Sequence, residues 1–386
     1  MPKKILIVYA TAGIGHAKAA FASEKAFGEL KIRYPGLKGK VEDCEITVID
    51  SLDYTTRFFR SSYQGTYLIM VKHLLLLWGF MYYLTNIRLV DLFVRKARRL
   101  TNWMHGRRLV KFLLDTRPDV IISTHFLAAE VISRMKEKGL IDTHLMCVVT
   151  DYRMHAFWVA SGVDVYIVGS EAARQDLMRW GVEPSRVKVL GIPVGPEFIT
   201  GSGPNKDVSR RKLGLKEGLF TVLLVGGGFG IGPMEEIVRI ISRIKSPLQI
   251  AVICGYNKGL LKKIKALKKG SSMNIQEFAF VENMYDFMDA ADVLISKSGG
   301  ITVSEALAKE LPMLIASPII GQESRNCEFL TGRGAAVRIK ALSDIAVVLE
   351  GLISDPGKFD AIKEKVRLVR RPYASLDIAR HALEAK

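Results

Sequence analysis

Ser296–Asn326 reads SKSGGITVSEALAKELPMLIASPIIGQESRN. The apolar run Val293–Ser296 leads into it as a buried strand, Gly299-Gly300 breaks that strand, and a helix is expected from Thr302 with Ser304 and Glu305 in its first turn. Pro312 then opens a second apolar strand, after which Gly321, Gln322, Glu323 and Asn326 are expected in a loop. Strand, glycine turn, helix and strand in this order make the repeating unit of an α/β fold with a parallel sheet. The polar residues add a chemical reading, that of a cradle for a nucleotide sugar. Paired glycines let backbone N–H groups approach a diphosphate, and a helix start supplies free donors and partial positive charge. Glu305 suits the two hydroxyls of a ribose, and Gln322 and Glu323 carry the amide and carboxylate that hold sugar hydroxyls. A plain strand–turn–helix would need only the Gly-Gly pair; polar residues at both strand ends favour a ligand site.

The same unit begins earlier. Phe220–Val225 (FTVLLV) is a strand, Gly226-Gly227-Gly228-Phe229-Gly230-Ile231-Gly232 a glycine loop, and Pro233–Arg243 a helix with proline in its first turn. Ile275–Phe280 is a strand running into Val281-Glu282-Asn283. The N-terminus repeats the arrangement, with strand Lys4–Ala10, the turn Thr11-Ala12-Gly13-Ile14-Gly15-His16, and a helix over Ala17–Leu30. That turn lacks the Lys-Ser/Thr ending of a Walker loop, and Gly-x-Gly alone is a weak dinucleotide signal. The Gly/Pro-rich stretch 191–206 separates the halves. The expected organisation is therefore a Rossmann-like domain over 1–195, a second over 205–370 facing it across a cleft, and a last helix in 371–386 crossing back to the first.

In the first half, strand ends gather polar residues. Asp119–Ser123 ends at His125, His144–Thr150 ends at Asp151 and His155, and His16 stands where the first helix begins. An open α/β sheet puts its ligands at this edge. Each of these side chains alone is as readily a satisfied structural group; together they favour a pocket.

The chain has 386 residues, 49% hydrophobic and 25% charged, with a net charge of +17, so an anionic partner is expected. Cys44, Cys147, Cys254 and Cys327 are far apart, which reads as reduced thiols with neither disulfides nor a metal site. MPKKILIVYA runs directly into a strand and reads as lacking a cleavable signal. Residues 51–117 break the βα rhythm. Phe58, Phe59, Tyr63, Trp78, Phe80, Tyr82 and Tyr83 alternate with Arg57, Arg60, Arg88, Arg95, Lys96, Arg98, Arg99, Arg107, Arg108 and Lys111. The longest apolar run, Leu74–Leu84, falls short of the ~20 residues a bilayer span needs. Aromatic and basic residues together fit helices lying in a membrane interface, with a buried hairpin and solvated basic rim as the alternative. The charge excess favours membrane contact. No nucleic-acid module appears, and none is expected as partner.

Taken together, the two glycine loops, Thr124-His125-Phe126, TDYRMHAFWV (150–159), FVENM (280–284), SKSGGITVSEA and GQESRN resemble the MurG-like family 28 glycosyltransferases of GT-B fold. The likeness is greatest to the branch of monogalactosyldiacylglycerol synthase and processive diacylglycerol glucosyltransferase. The first loop departs from that branch's fuller glycine run, and 51–117 matches it loosely.

The resemblance implies that the second half binds a UDP-sugar. Phe280-Val281 would meet the uracil, Glu305 the ribose, and Gly226, Gly227, Gly228, Phe229, Ser298, Gly299, Gly300, Thr302 and Asn326 the diphosphate, with Gln322 and Glu323 on the hexose. The first half would bind the acceptor through Gly13, Gly15, His125, His155 and Trp158. His16 would be the base, with Asp151 assisting or replacing it. No Asp-x-Asp triplet occurs, so no metal and no cofactor are expected, and leaving-group charge would fall to main-chain amides. The expected reaction is inverting transfer of glucose or galactose from UDP-sugar to a diacylglycerol-type lipid, at the cytoplasmic face of the membrane and against an anionic surface. Transfer of N-acetylglucosamine to a polyprenyl-linked acceptor, UDP-sugar 2-epimerisation and non-catalytic nucleotide binding are the alternatives.

Overall fold

The computed structural model describes residues 2–11, 13–199 and 206–385. Part of the Gly/Pro-rich separator, 200–205, lies outside that set. Six strands come first: β1 (Lys3–Tyr9), β2 (Cys44–Asp50), β3 (Val120–Ser123), β4 (His144–Val148), β5 (Val165–Ile167) and β6 (Val187–Lys188). They form one parallel sheet in the order β2-β1-β3-β4-β5-β6. Ile5 pairs with Ile46 on one side and Val120 on the other. Ile5, Ile7, Ile121, Ile122 and Leu145 are wholly buried, as near-continuous apolar strands are when helices cover both sheet faces.

Six more strands follow: β7 (Phe220–Val225), β8 (Leu248–Ile253), β9 (Asn274–Phe278), β10 (Val293–Ser296), β11 (Met313–Ile315) and β12 (Ala336–Arg338). Their parallel sheet runs β12-β11-β10-β7-β8-β9. The chain divides into two compact units, one reaching to Pro196 and including Ile320–Arg325 and the chain from Tyr373, the other Glu197–Ile319 with Asn326–Pro372. Each sheet has a point where its winding reverses, between β1 and β3 in the first and between β7 and β10 in the second. Loops on either side of such a point diverge and leave a crevice at the strands' carboxyl ends.

Two expected elements shift. The helix after β10 begins at Gly300, because Gly299 is extended (φ −63°, ψ 134°) and serves as its N-cap. Gln322, Glu323 and Asn326 lie on a helix, Gln322–Thr331, rather than in a loop. Gly321 makes the turn into it at φ +104°, and the Arg325 N–H closes the first turn on the Gly321 carbonyl at 3.1 Å.

Residues 57–116 are four helices, Arg57–His73, Leu75–Leu84, Arg88–His105 and Arg107–Thr116. In Arg88–His105 the inward stripe is polar. Asp91 and Asn102 are buried, Arg95 pairs with Asp91 at 2.5 Å, Arg98 and Asn102 both bond Glu130, at 3.1 and 2.6 Å, and Arg99 pairs with Glu137. Positions 91, 95, 98 and 102 share one helix face. Arg95, Arg98 and Arg99 therefore face the protein, neither the membrane contact expected of them nor the solvated rim of the alternative. Leu89, Leu92, Phe93, Leu100 and Met104 point outward and are exposed. Among the described residues no helix is long and apolar enough to cross a membrane.

Candidate functional site

In the first unit the polar chemistry gathers where β1 meets β3. Asp50, the last residue of β2, is buried and accepts from the Thr11 N–H at 3.3 Å, the Leu52 N–H at 2.9 Å and the Thr11 hydroxyl. It clamps the entry to the first glycine turn. Gly13 is the extended N-cap of helix Ile14–Arg33, with no side chain closing the helix end, and Gly15 lies in its first turn. His16 follows, with Nδ1 2.8 Å from the Thr124 carbonyl and 3.2 Å from the Thr150 hydroxyl. The Thr124 hydroxyl in turn donates to the His16 carbonyl at 2.9 Å. A carbonyl only accepts, so Nδ1 carries the proton, and the neutral ring keeps its lone pair on Nε2. Burial pushes the His16 pKa down to about 4, partly offset by the Thr124 bond. The ring is therefore a neutral acceptor at pH 7.

His125 stands edge-on to His16 at 4.5 Å between ring centroids, and burial holds its pKa well below the ordinary value. Its Nδ1 accepts from the Leu127 N–H at 3.1 Å, capping helix Phe126–Glu137. His155 uses both nitrogens on the fold: Nδ1 accepts from the Phe157 N–H at 3.2 Å and Nε2 faces the Tyr82 carbonyl at 2.9 Å. Trp158 is buried against Phe126, 5.6 Å between centroids, and lies 6.3 Å from His16. Asp151 is half-buried; after burial itself, its charge is the next cause raising the Tyr82 phenol pKa. The structure thus brings His16, His125 and Trp158 together, fastens His155 to Tyr82, and sets Asp151 beside Tyr82.

The second unit has its own cradle between β7 and β10. After β7 the chain turns tightly, with the Gly230 N–H on the Gly227 carbonyl at 3.0 Å and the Ile231 N–H on that of Gly226 at 2.9 Å. At Gly230 (φ +56°) a Cβ would overlap the Cys254 carbonyl, so only glycine lets this loop seat there. Phe229 is exposed at its tip. Beside it Tyr256 stacks face to face on Phe280, 4.4 Å and 8° apart, next to half-buried Val281. After β10, Ser298 is wholly buried and its carbonyl accepts the Asn326 amide at 3.0 Å. No side chain caps helix Gly300–Ala308 at Gly299, so the N–H groups of Gly300, Ile301 and Thr302 lack intrahelical partners and point out of the helix end. Glu305 is buried one turn further in. Gln322 and buried Glu323, expected with this cradle, belong by packing to the first unit.

Sequence reasoning missed Asp50, Thr124, Thr150, Tyr256, Tyr82 and Arg325. Asp50 had a signal, a carboxylate ending a strand next to a glycine turn. The others act through contacts distant in sequence.

Two crevices of this kind, each at the reversal of a parallel six-stranded sheet, define the GT-B class of fold. Residues 36–194 match the monogalactosyldiacylglycerol (MGDG) synthase family and residues 221–339 the glycosyltransferase family 28 C-terminal domain. A probable chloroplastic monogalactosyldiacylglycerol synthase of Glycine max is 32% identical over 358 residues, 90% of this chain and 64% of that protein. A processive diacylglycerol beta-glucosyltransferase of Bacillus cytotoxicus is 28% identical over 387 residues, 99% of this chain and 93% of that protein. The crystal structure of Acinetobacter baumannii MurG superposes with a TM-score of 0.63 at 14% identity, covering 99% of this chain and 100% of that one. The chain thus carries a monogalactosyldiacylglycerol synthase-type domain followed by a glycosyltransferase family 28 C-terminal domain, and it is similar over most of its length to monogalactosyldiacylglycerol synthases and processive diacylglycerol glucosyltransferases. It spans 64% of the length of the plant relative.

Proposed function

We propose that the chain transfers glucose or galactose from UDP-sugar to the free hydroxyl of a diacylglycerol-type lipid, with inversion and without a metal or other cofactor, while docked peripherally on the anionic cytoplasmic face of a membrane. The observation that carries the lipid part is helix Arg88–His105, whose Asp91, Arg95, Arg98 and Arg99 pair within the protein while Leu89, Leu92, Phe93, Leu100 and Met104 face solvent. A soluble acceptor gives no reason for that inversion; an acyl phase does. Leu76, Phe80 and Tyr83 extend the exposed apolar surface on Leu75–Leu84. Exposed Lys96, beside Leu100 at a surface hollow, offers cationic contact to lipid phosphates.

In this reading the uncapped start of Gly300–Ala308 and the Gly226–Gly230 turn hold the diphosphate, with Glu305 on the ribose. Main-chain N–H groups already aimed at the leaving phosphate stabilise its charge as the glycosidic bond breaks. His16 accepts the lipid hydroxyl proton at Nε2 as that oxygen attacks the anomeric carbon. A base of pKa about 4 takes the proton only as the hydroxyl acidifies in the transition state.

Incubation of the chain with radiolabelled UDP-glucose or UDP-galactose and diacylglycerol vesicles tests this. A labelled glycolipid with β linkage supports it. Turnover of donor without acceptor points to epimerisation, label only on a polyprenyl acceptor points to the other transferase, and UDP binding without any turnover leaves a binding protein.

A further inference from the structure

Helix Leu75–Leu84 has two surfaces with different neighbours. Leu76, Phe80 and Tyr83 are exposed; Gly79 and Tyr82 form a buried stripe beside them. Against the buried stripe lies Ile320-Gly321, in the same compact unit. A Cβ added to Gly79 would overlap Ile320 Cγ2, so the close approach depends on glycine there. Gly321 sits over the Tyr82 ring at φ +104°, where a Cβ would come within 2.8 to 3.1 Å of three ring carbons. The far end of the segment is fixed as well. The Tyr82 phenol hydrogen-bonds Arg325, Arg325 Nη1 donates to the Met154 carbonyl at 2.8 Å, and Nη2 reaches Asp176 at 3.2 Å. Asp176 also takes Arg153 through two bonds, at 2.7 and 2.9 Å, and His155 holds the Tyr82 carbonyl. Gln322 and Glu323 lie between these two fastened points.

We infer that Gly79 and Tyr82 are positioning residues for Gln322 and Glu323, so that the helix offering its outer face to lipid sets, through its inner face, the contact made to the transferred hexose. The inference rests on the proposed function for the sugar role of Gln322 and Glu323. Its physical core is that the helix sets Gly79 and Tyr82 on a narrow buried stripe directly beside exposed Leu76, Phe80 and Tyr83, within one rigid element of 10 residues. A shift of that element on docking is carried directly to Gly321 and Arg325. Ordinary packing would make Gly79 and Tyr82 matter for stability alone; positioning makes them matter for the sugar and not for the nucleotide.

Calorimetry with UDP and with UDP-hexose separates these outcomes. Gly79→Ala should weaken UDP-hexose roughly tenfold, the scale of one lost hydrogen-bonded contact, while UDP binds as before and vesicle sedimentation is unchanged. Adding Ile320→Ala, which removes the overlapping Cγ2, should restore the parent value. Tyr82→Phe keeps the ring, loses only the bond to Arg325, and should shift UDP-hexose in the same direction; it carries the test should Gly79→Ala fail to fold. A parent-like ratio of the two affinities in both variants overturns the inference, as does a loss shared equally by UDP. A parent chain that binds neither ligand overturns the transferase reading and this one with it; a parent that binds both, beside unchanged variants, overturns this one alone.

Discussion

His16 Nδ1 lies 2.8 Å from the carbonyl oxygen of Thr124, and this bond decides which face of the imidazole is available for chemistry. Thr124 ends the run out of β3 and His16 opens the helix after β1, so the contact spans the reversal point of the sheet. Helix Ile14–Arg33 brings the ring there, and Asp50 holds the turn that precedes it.

His16→Ala should lower kcat by roughly 10²–10⁴, the usual worth of a positioned base, with the Kd for UDP unchanged. Loss of UDP affinity to the same degree would remove His16 from the base role. His16→Gln offers an amide where the imidazole was and should be nearly as inactive.

Stability should fall on acidification. Folding depresses the pKa of His16 and of His155 from 6.5 to about 4, in both cases chiefly by burial. Between these values the unfolded chain binds protons that the folded chain refuses, so stability is full above pH 6.5 and is lost as the pH falls toward 4. For buried His155 this amounts to about 3 kcal/mol at neutral pH. Thermal unfolding at pH 7 and pH 5 should show a clear drop in Tm, and His155→Gln should flatten the dependence. A Tm that rises on acidification would contradict the burial of these rings.

The outward face of Arg88–His105 makes a prediction opposite to the one its composition suggests. Phe93→Asp and Leu92→Asp should reduce sedimentation with anionic vesicles and leave Tm nearly unchanged. Arg98→Glu should instead lower Tm, because it sets a second carboxylate against buried Glu130 in place of the 3.1 Å pair and removes the guanidinium stacked 4.2 Å over Phe157. Breaking a buried pair costs about 3–5 kcal/mol. If Arg98→Glu abolished vesicle binding with Tm intact, the helix would be oriented the other way.

What the sequence made legible follows the range of the forces involved. Strand–glycine–helix units could be read because apolar runs and Gly-Gly turns are local, and the Gly299-Gly300 helix start was misplaced by only two residues. The orientation of Arg88–His105 could not be read. Leucines, phenylalanines and arginines alternate there so that either face could be inward, and the choice rests on Glu130 and Glu137 from another helix. His155 looked like pocket chemistry because histidine at a strand end usually does. Only the fold shows both its nitrogens engaged, one at the Phe157 N–H and one at the Tyr82 carbonyl. Tyr256 carried no local sign at all; its stack on Phe280 joins the ends of two strands.

Glu305 supplies the sharpest test of the second cradle. It is buried one turn inside the helix that starts at Gly300, so its carboxylate cannot be replaced by solvent when a ribose hydroxyl loses it. A hydrogen bond to a charged acceptor is worth about 1.5–3 kcal/mol, so Glu305→Ala should weaken UDP roughly tenfold to a hundredfold. The same loss should appear when the parent chain is offered 2′-deoxy-UDP, and the variant should then no longer distinguish UDP from its deoxy analogue. That non-additivity is what a direct contact requires. If the two losses simply summed, Glu305 would be bracing the helix and some other group would be holding the ribose.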